Sequence, residues 1–101
     1  MNYTEHFKGI KLDVQTVDIT VNDTILERMR KMLERLQRHY SEISAADFYL
    51  EDKASKSTDQ RSVKVRLGIP GKDAFAEDSG DNFMALMTSV EEKLRRQLEK
   101  K

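Results

Sequence analysis

The chain has no cysteine, which excludes disulfides, thiolate metal sites and a thiol nucleophile and fits a reducing compartment. It has no excess charge of either sign, because 18 Lys and Arg residues balance 18 Asp and Glu residues. No net field gathers polyanions, so a nucleic-acid role would need charge sorted onto one face. Long apolar runs are also missing. No stretch reaches membrane-spanning length, and the opening MNYTEHFKG holds no apolar segment of signal length. The expected location is the cytoplasm. The two histidines, His6 and His39, lie far apart in the chain, in the opening segment and in a basic helix face, and form no metal-ligand pair. No repeat, low-complexity tract or linker divides the 101 residues, which suffice for one core.

What is present is periodic. Ile10, Leu12 and Val14 alternate with Lys11, Asp13 and Gln15, which predicts a strand. In VNDTILERMRKMLERLQRHY the period lengthens, and Ile25, Met29, Met32, Leu33, Leu36 and Tyr40 share one helical face. Asn22 and Asp23 suit the helix start, and Thr24 with Glu27 has capping-box spacing. Alternation returns at Ala46, Phe48 and Leu50, and again at Val63, Val65, Leu67 and Ile69. The polar stretch KASKSTDQ between them reads as a loop at the tip of a hairpin. Pro70 and Gly71 turn the chain into KDAFAED, a fourth strand. Gly80, Asp81 and Asn82 then precede a last helix with Phe83, Met87, Val90, Leu94 and Leu98 inward.

The expected fold is therefore α+β, in the order β-α-β-β-β-α: a four-stranded sheet with both helices packed on one face. A right-handed crossover should make the first two strands parallel. Residues 1–9 are expected to form a flexible lead, and residues 10–101 the single domain.

At 100° per residue, Arg28, Lys31, Arg35, Arg38 and His39 fall in one sector beside the first apolar face, with Glu27 and Glu34 farther round. Lys93, Arg96 and Lys100 share a stripe on the last helix, with Glu91, Glu92 and Glu99 directed elsewhere. Two such helices on one sheet face are expected to turn their basic stripes to the same side, as phosphate tracking requires. Basic flanks are equally the ordinary solvated border of a surface helix, and Glu34 and Glu42 could pair with Arg35 and Arg38.

Catalytic constellations are weak by comparison. GIPGK lacks the spacing of a phosphate-binding loop and reads as a turn. Glu77, Asp78 and Asp81 stand near a helix start, where carboxylates favour the dipole. Met29, Met32, Met84 and Met87 have core spacing. The expectation is a non-enzymatic domain without metal or cofactor.

Three segments, ITVNDTILERMRKMLERLQRHYSEI, VKVRLGIPGKDAFAEDSGDNF and EEKLRRQLEKK, stand in the order and with the gaps of a known family. Together they resemble the ribosome hibernation-promoting factors and ribosome-associated inhibitors, also called sigma-54 modulation proteins, over roughly residues 10–101. The resemblance implies a β-α-β-β-β-α fold laid out like a double-stranded-RNA-binding domain. It also implies binding in the messenger and transfer RNA channel of the small ribosomal subunit, to rRNA and neighbouring ribosomal proteins. The implied effect is translation inhibition by occlusion under stress or in stationary phase, with no membrane or small-molecule substrate involved.

By the same resemblance, Lys31, Arg35 and Arg38 carry over as rRNA-binding positions of the first helix, and Lys93, Arg96 and Lys100 as those of the last. Arg28 and His39 extend the first stripe. The chain departs from the pattern where Met32 replaces a common lysine, and where Met84 and Thr88 replace a tyrosine and an aspartate. Its length resembles a short form without the carboxy-terminal dimerisation domain. The rival expectation is a protein-interaction domain that has lost rRNA binding and uses the open sheet face or the helix grooves.

Overall fold

The computed structural model describes residues 2–53 and 60–100. Alternation of buried and exposed residues builds five strands, β1 (Asn2–Phe7), β2 (Ile10–Val17), β3 (Ala45–Asp52), β4 (Arg61–Gly68) and β5 (Ala74–Gly80). Two helices, α1 (Asp23–His39) and α2 (Phe83–Glu99), complete the order β-β-α-β-β-β-α. The strands lie in the sheet in chain order, with β2 and β3 parallel and all other neighbours antiparallel. The parallel pair across α1 is the one expected from the crossover.

The expected four-stranded β-α-β-β-β-α order is thereby corrected. The segment set aside as a lead holds the fifth strand, in register with β2 from Asn2↔Gln15 to Phe7↔Ile10. A two-residue turn, Lys8 at φ 50° and Gly9 at φ 82°, joins them. Two consecutive positive φ values define the hairpin turn whose twist matches its strands, and glycine takes the second position without a Cβ penalty. On the helix side of β1, Tyr3 and Phe7 are half-buried and pack against the core.

Ile10, Leu12 and Val14 on β2, Phe48 and Leu50 on β3, Val63, Val65 and Leu67 on β4, and Ala74 and Ala76 on β5 form one core with both helices. Both helices therefore cover the same sheet face. The α1 stripe is Leu26, Met29, Met32, Leu33 and Leu36, and the α2 stripe is Leu86, Met87, Val90, Leu94 and Leu98. Leu26 and Leu86 replace Ile25 and Phe83, which are only partly buried. Met84 is exposed and not core.

Each helix starts on an asparagine. Asn22 Oδ1 accepts from the Ile25 N–H at 2.9 Å, and Asn82 Oδ1 from the Ala85 N–H at 3.1 Å. The Thr24–Glu27 box is not the cap, because α1 begins two residues before it would, and Glu27 instead accepts from Arg30 at 2.5 Å. Within the loop expected over 53–60, residues 54–59 lie outside the described residues; its ends meet where the Lys53 N–H donates to the Gln60 carbonyl at 2.5 Å. Among the described residues no helix is long and apolar enough to cross a membrane.

Candidate nucleic-acid interface

The helical layer carries the expected cations, in a different arrangement. α1 lies between β1 and α2, and α2 between α1 and β5, as the cross-element contacts of their side chains show. Gln37 on α1 donates to the Lys8 carbonyl beside β1 at 2.9 Å, while Gln97 on α2 donates to the Phe75 carbonyl of β5 at 2.6 Å. Each helix therefore has an inner flank toward its partner helix and an outer flank toward a sheet edge.

Arg28 and Arg35 stand one α1 heptad apart and turn their inner flank to Glu91 on α2. Arg28 Nη1 lies 3.0 Å from Glu91 Oε1, and Arg35 contributes Nε at 2.7 Å to Oε2 and Nη2 at 2.9 Å to Oε1. Arg28 also donates to the Thr88 hydroxyl at 3.2 Å. Burial between the helices pushes the Glu91 carboxyl up, but hydrogen bonds from Arg35 and Arg28 outweigh it and hold the group below its ordinary range. The Arg35 guanidinium is correspondingly raised, chiefly by its hydrogen bonds to Glu91.

Lys31 stands exposed on α1, and no ion pair to it is found among the described residues. Arg38 is exposed and reaches Glu34 at 3.4 Å, while His39 is exposed at the helix end. On α2 the stripe occupies the other flank. Lys93 Nζ donates to the Glu77 carbonyl of β5 at 2.9 Å, and Arg96 Nε to Glu92 at 3.2 Å. Lys100 is exposed at the α2 C-cap.

The expectation that the two stripes share one side, with the α2 glutamates elsewhere, is corrected here. Glu91 points at α1, and Arg95 bridges Glu92 and Glu99, Glu92 also accepting from Arg96. An acid-base ridge thus separates the α1 cations from Lys93, Arg96 and Lys100. The structure brings together Arg28 and Arg35 and leaves Lys31, Arg38, Arg96 and Lys100 as solvent-facing cations around that ridge. Met32 is fully buried, so this position serves the core. Thr88 is a hydrogen-bond partner of Arg28. In the sequence Glu91 stands out only as directed away from the basic stripe, and Arg95 is not singled out; a wheel drawn for each helix alone contains no signal for Glu91's partner.

Fold and surface define a small α+β domain with a mixed five-stranded sheet, one helical layer and cations distributed over that layer. The chain belongs to the Sigma 54 modulation protein / S30EA ribosomal protein family, whose model matches residues 12–101. It is 21% identical over 97 residues to the ribosome hibernation promoting factor of Acinetobacter guillouiae, covering 90% of this chain and 86% of that one. The N-terminal domain of Thermus thermophilus Protein Y superposes with a TM-score of 0.73 at 16% identity, over 95% of this chain and 98% of that one. A ribosomal subunit interface protein from Coxiella burnetii gives a TM-score of 0.76 at 21% identity, over 88% and 93%. The two solved structures establish the shared fold.

Proposed function

We propose that this protein binds the small ribosomal subunit in its messenger and transfer RNA channel and silences translation by occupying it, in the cytoplasm, under stress or in stationary phase. The process is occlusion and needs no catalytic group or cofactor. The observation that carries the reading is the set of outward cations on the helical layer of a family member with zero net charge: Lys31, Arg38, Arg96 and Lys100. Arg38 and Arg96 side chains are 70% and 69% exposed, so their ion pairs to Glu34 and Glu92 compete with solvent and exchange readily for phosphate. Arg28, Arg35, His39 and Lys93 border this set and complete the proposed rRNA contact.

One observation favours a second reading, a protein-interaction domain that has lost rRNA binding. Glu91 ion-pairs with both Arg28 and Arg35, which lowers the positive charge of the face. Salt separates the two: phosphate contact releases counterions and gives steeply salt-dependent binding, whereas an apolar protein contact does not. The test is co-sedimentation of the pure chain with isolated small subunits at rising salt, beside a variant with Lys31, Arg38, Arg96 and Lys100 changed to Glu. The rRNA reading expects salt-sensitive binding that the variant loses. Retained binding by the folded variant, or no binding by wild type at low salt, overturns it.

A further inference from the structure

The two outer edges of the sheet are finished differently. The Ser44 N–H donates to the Gly68 carbonyl, so even-numbered β4 residues aim their backbone groups toward β3 and odd-numbered ones toward β5. The β5 partners of the odd residues, Ala74, Ala76 and Asp78, therefore bond inward, and Phe75, Glu77 and Ser79 face out. Side chains cover those three. Gln97 accepts from the Phe75 N–H at 3.0 Å and donates to its carbonyl at 2.6 Å, in the manner of a neighbouring strand. Lys93 donates to the Glu77 carbonyl at 2.9 Å, and Asp78 Oδ1 accepts from the Ser79 N–H at 2.9 Å. Four of the six outward backbone groups of these residues are thereby taken, which obstructs further strand pairing on this edge.

The β1 edge is open. The Lys11 N–H donates to the Ser44 carbonyl, so odd-numbered β2 residues face β3, while Ile10, Leu12 and Val14 face β1. Their partners Phe7, Glu5 and Tyr3 bond inward. Asn2, Thr4 and His6 then aim N–H and C=O away from the sheet, and among the described residues no hydrogen bond reaches these groups.

We propose that this edge pairs, antiparallel, with the same edge of a second copy about a two-fold axis at Thr4. The register is self-complementary. Thr4 meets Thr4 of the partner subunit, a favourable cross-strand pair, and Asn2 meets the partner's His6, so that all three outward residues on each strand exchange both backbone bonds. On the helix side Tyr3 stands opposite the partner's Glu5, a polar pair without charge repulsion, while its hydroxyl stays on Glu5 of its own chain at 2.5 Å. No like charges oppose. The axis runs normal to the sheet, so both helical layers lie on one side of a continuous sheet, and the interface is isologous. A six-residue strand contact is smaller than the interface of a stable dimer, so pairing is concentration-dependent.

Sedimentation velocity of the full chain from micromolar to millimolar concentration tests this, with Thr4→Pro and Thr4→Val beside wild type. Proline removes the outward Thr4 N–H without breaking the β1–β2 backbone ladder, of which that N–H is not part, and an edge strand tolerates it. Valine keeps that N–H and removes the Thr4 hydroxyl bond to Asp13, 2.6 Å long, which proline also removes. Wild type and Thr4→Val should dimerise with rising concentration and Thr4→Pro should stay monomeric. Amide exchange of Thr4 and His6 in wild type should slow as concentration rises, a readout independent of whether the proline variant folds. A wild type monomeric at millimolar concentration, a Thr4→Pro dimer, or Thr4 and His6 amides that exchange equally fast at all concentrations overturns the proposal.

Discussion

Arg30 on α1 grips Glu5 on β1 with two hydrogen bonds, Nε to Oε2 at 2.8 Å and Nη2 to Oε1 at 2.6 Å. Glu5 lies on the helix side of β1, and the Tyr3 hydroxyl donates to it at 2.5 Å. The pair ties an edge strand that has only one strand neighbour to the helix above it. Two-pronged guanidinium-carboxylate geometry fixes direction as well as distance, so it orients α1 over β1. The Arg30 hydrogen bonds hold the Glu5 carboxyl at about 2, well below its ordinary 4.5.

This shift sets a pH dependence. A carboxylate whose folded pKa is depressed stabilises the fold fully above its unfolded value and loses that contribution as pH falls through the folded one. Here the window runs from 4.5 down to about 2. Glu5→Gln should cost ~1–2 kcal/mol at neutral pH, the range of a charge-assisted hydrogen bond discounted for partial exposure. Urea melts of both proteins should converge toward the acid end of the window. A difference independent of pH would show that the charge of Glu5 is not what holds β1 down, since glutamine keeps the length and volume of the side chain.

The hairpin turn offers a second check. Gly9 has φ 82° with nothing within 4 Å of where a Cβ would stand, so an added methyl meets backbone strain and no clash. Gly9→Ala should therefore destabilise by ~1–2 kcal/mol, the cost of placing an L-residue in the left-handed region. A loss near zero in denaturant melts would mean that the turn relaxes without β1 leaving the sheet.

Why β1 escapes a hydrophobicity reading follows from these residues. Ile10, Leu12 and Val14 alternate cleanly because β2 is buried between two strands, whereas the inward residues of β1 are Tyr3, Glu5 and Phe7. A carboxylate in the middle, neutralised by Arg30 from another element, breaks the apolar pattern. The signal that remains is local: Lys8–Gly9 between two short alternating segments. Helix phases are displaced for a similar reason, since Leu26 and Leu86 are buried while Ile25 and Phe83 are only partly so, a choice set by how each helix sits on the sheet and not by its own periodicity. The cations themselves were visible in the chain, but the rotation of α1 against α2 that sets Glu91 between Arg28 and Arg35 exists only in three dimensions.

The cores of the two stripes supply a third prediction. Leu36 and Leu94 are each at most 1% exposed, on the buried stripes of α1 and α2. Leu36→Ala and Leu94→Ala should each destabilise by about 2–5 kcal/mol, combining lost transfer energy with a cavity that the sheet cannot collapse to fill. Losses below about 0.5 kcal/mol in denaturant melts would be those of surface positions and would contradict this packing.

The fourth prediction concerns Glu91. With the carboxylate present, Arg28 and Arg35 are ion-paired within the protein, Arg28 largely covered and Arg35 still 45% exposed, so Glu91 competes with phosphate for both. Glu91→Gln removes the negative charge, keeps the side-chain volume and leaves an amide oxygen to accept one guanidinium bond. Two outcomes follow from one substitution. The α1–α2 contact weakens, because Glu91 is only 15% exposed and its carboxyl is held in the charged form, so the melting temperature should fall. If the helical layer contacts rRNA as proposed, small-subunit affinity should rise, and the slope of log affinity against log salt should steepen by up to ~2, roughly 0.7–0.9 for each arginine released to a phosphate. Lys53→Glu and Lys64→Glu, at the ends of the 53–60 loop and on the open sheet face, should change neither quantity much. An unchanged salt slope with a lowered melting temperature would mean that Arg28 and Arg35 serve only to join the helices, and rRNA contact would then rest on Lys31, Arg38, Arg96 and Lys100.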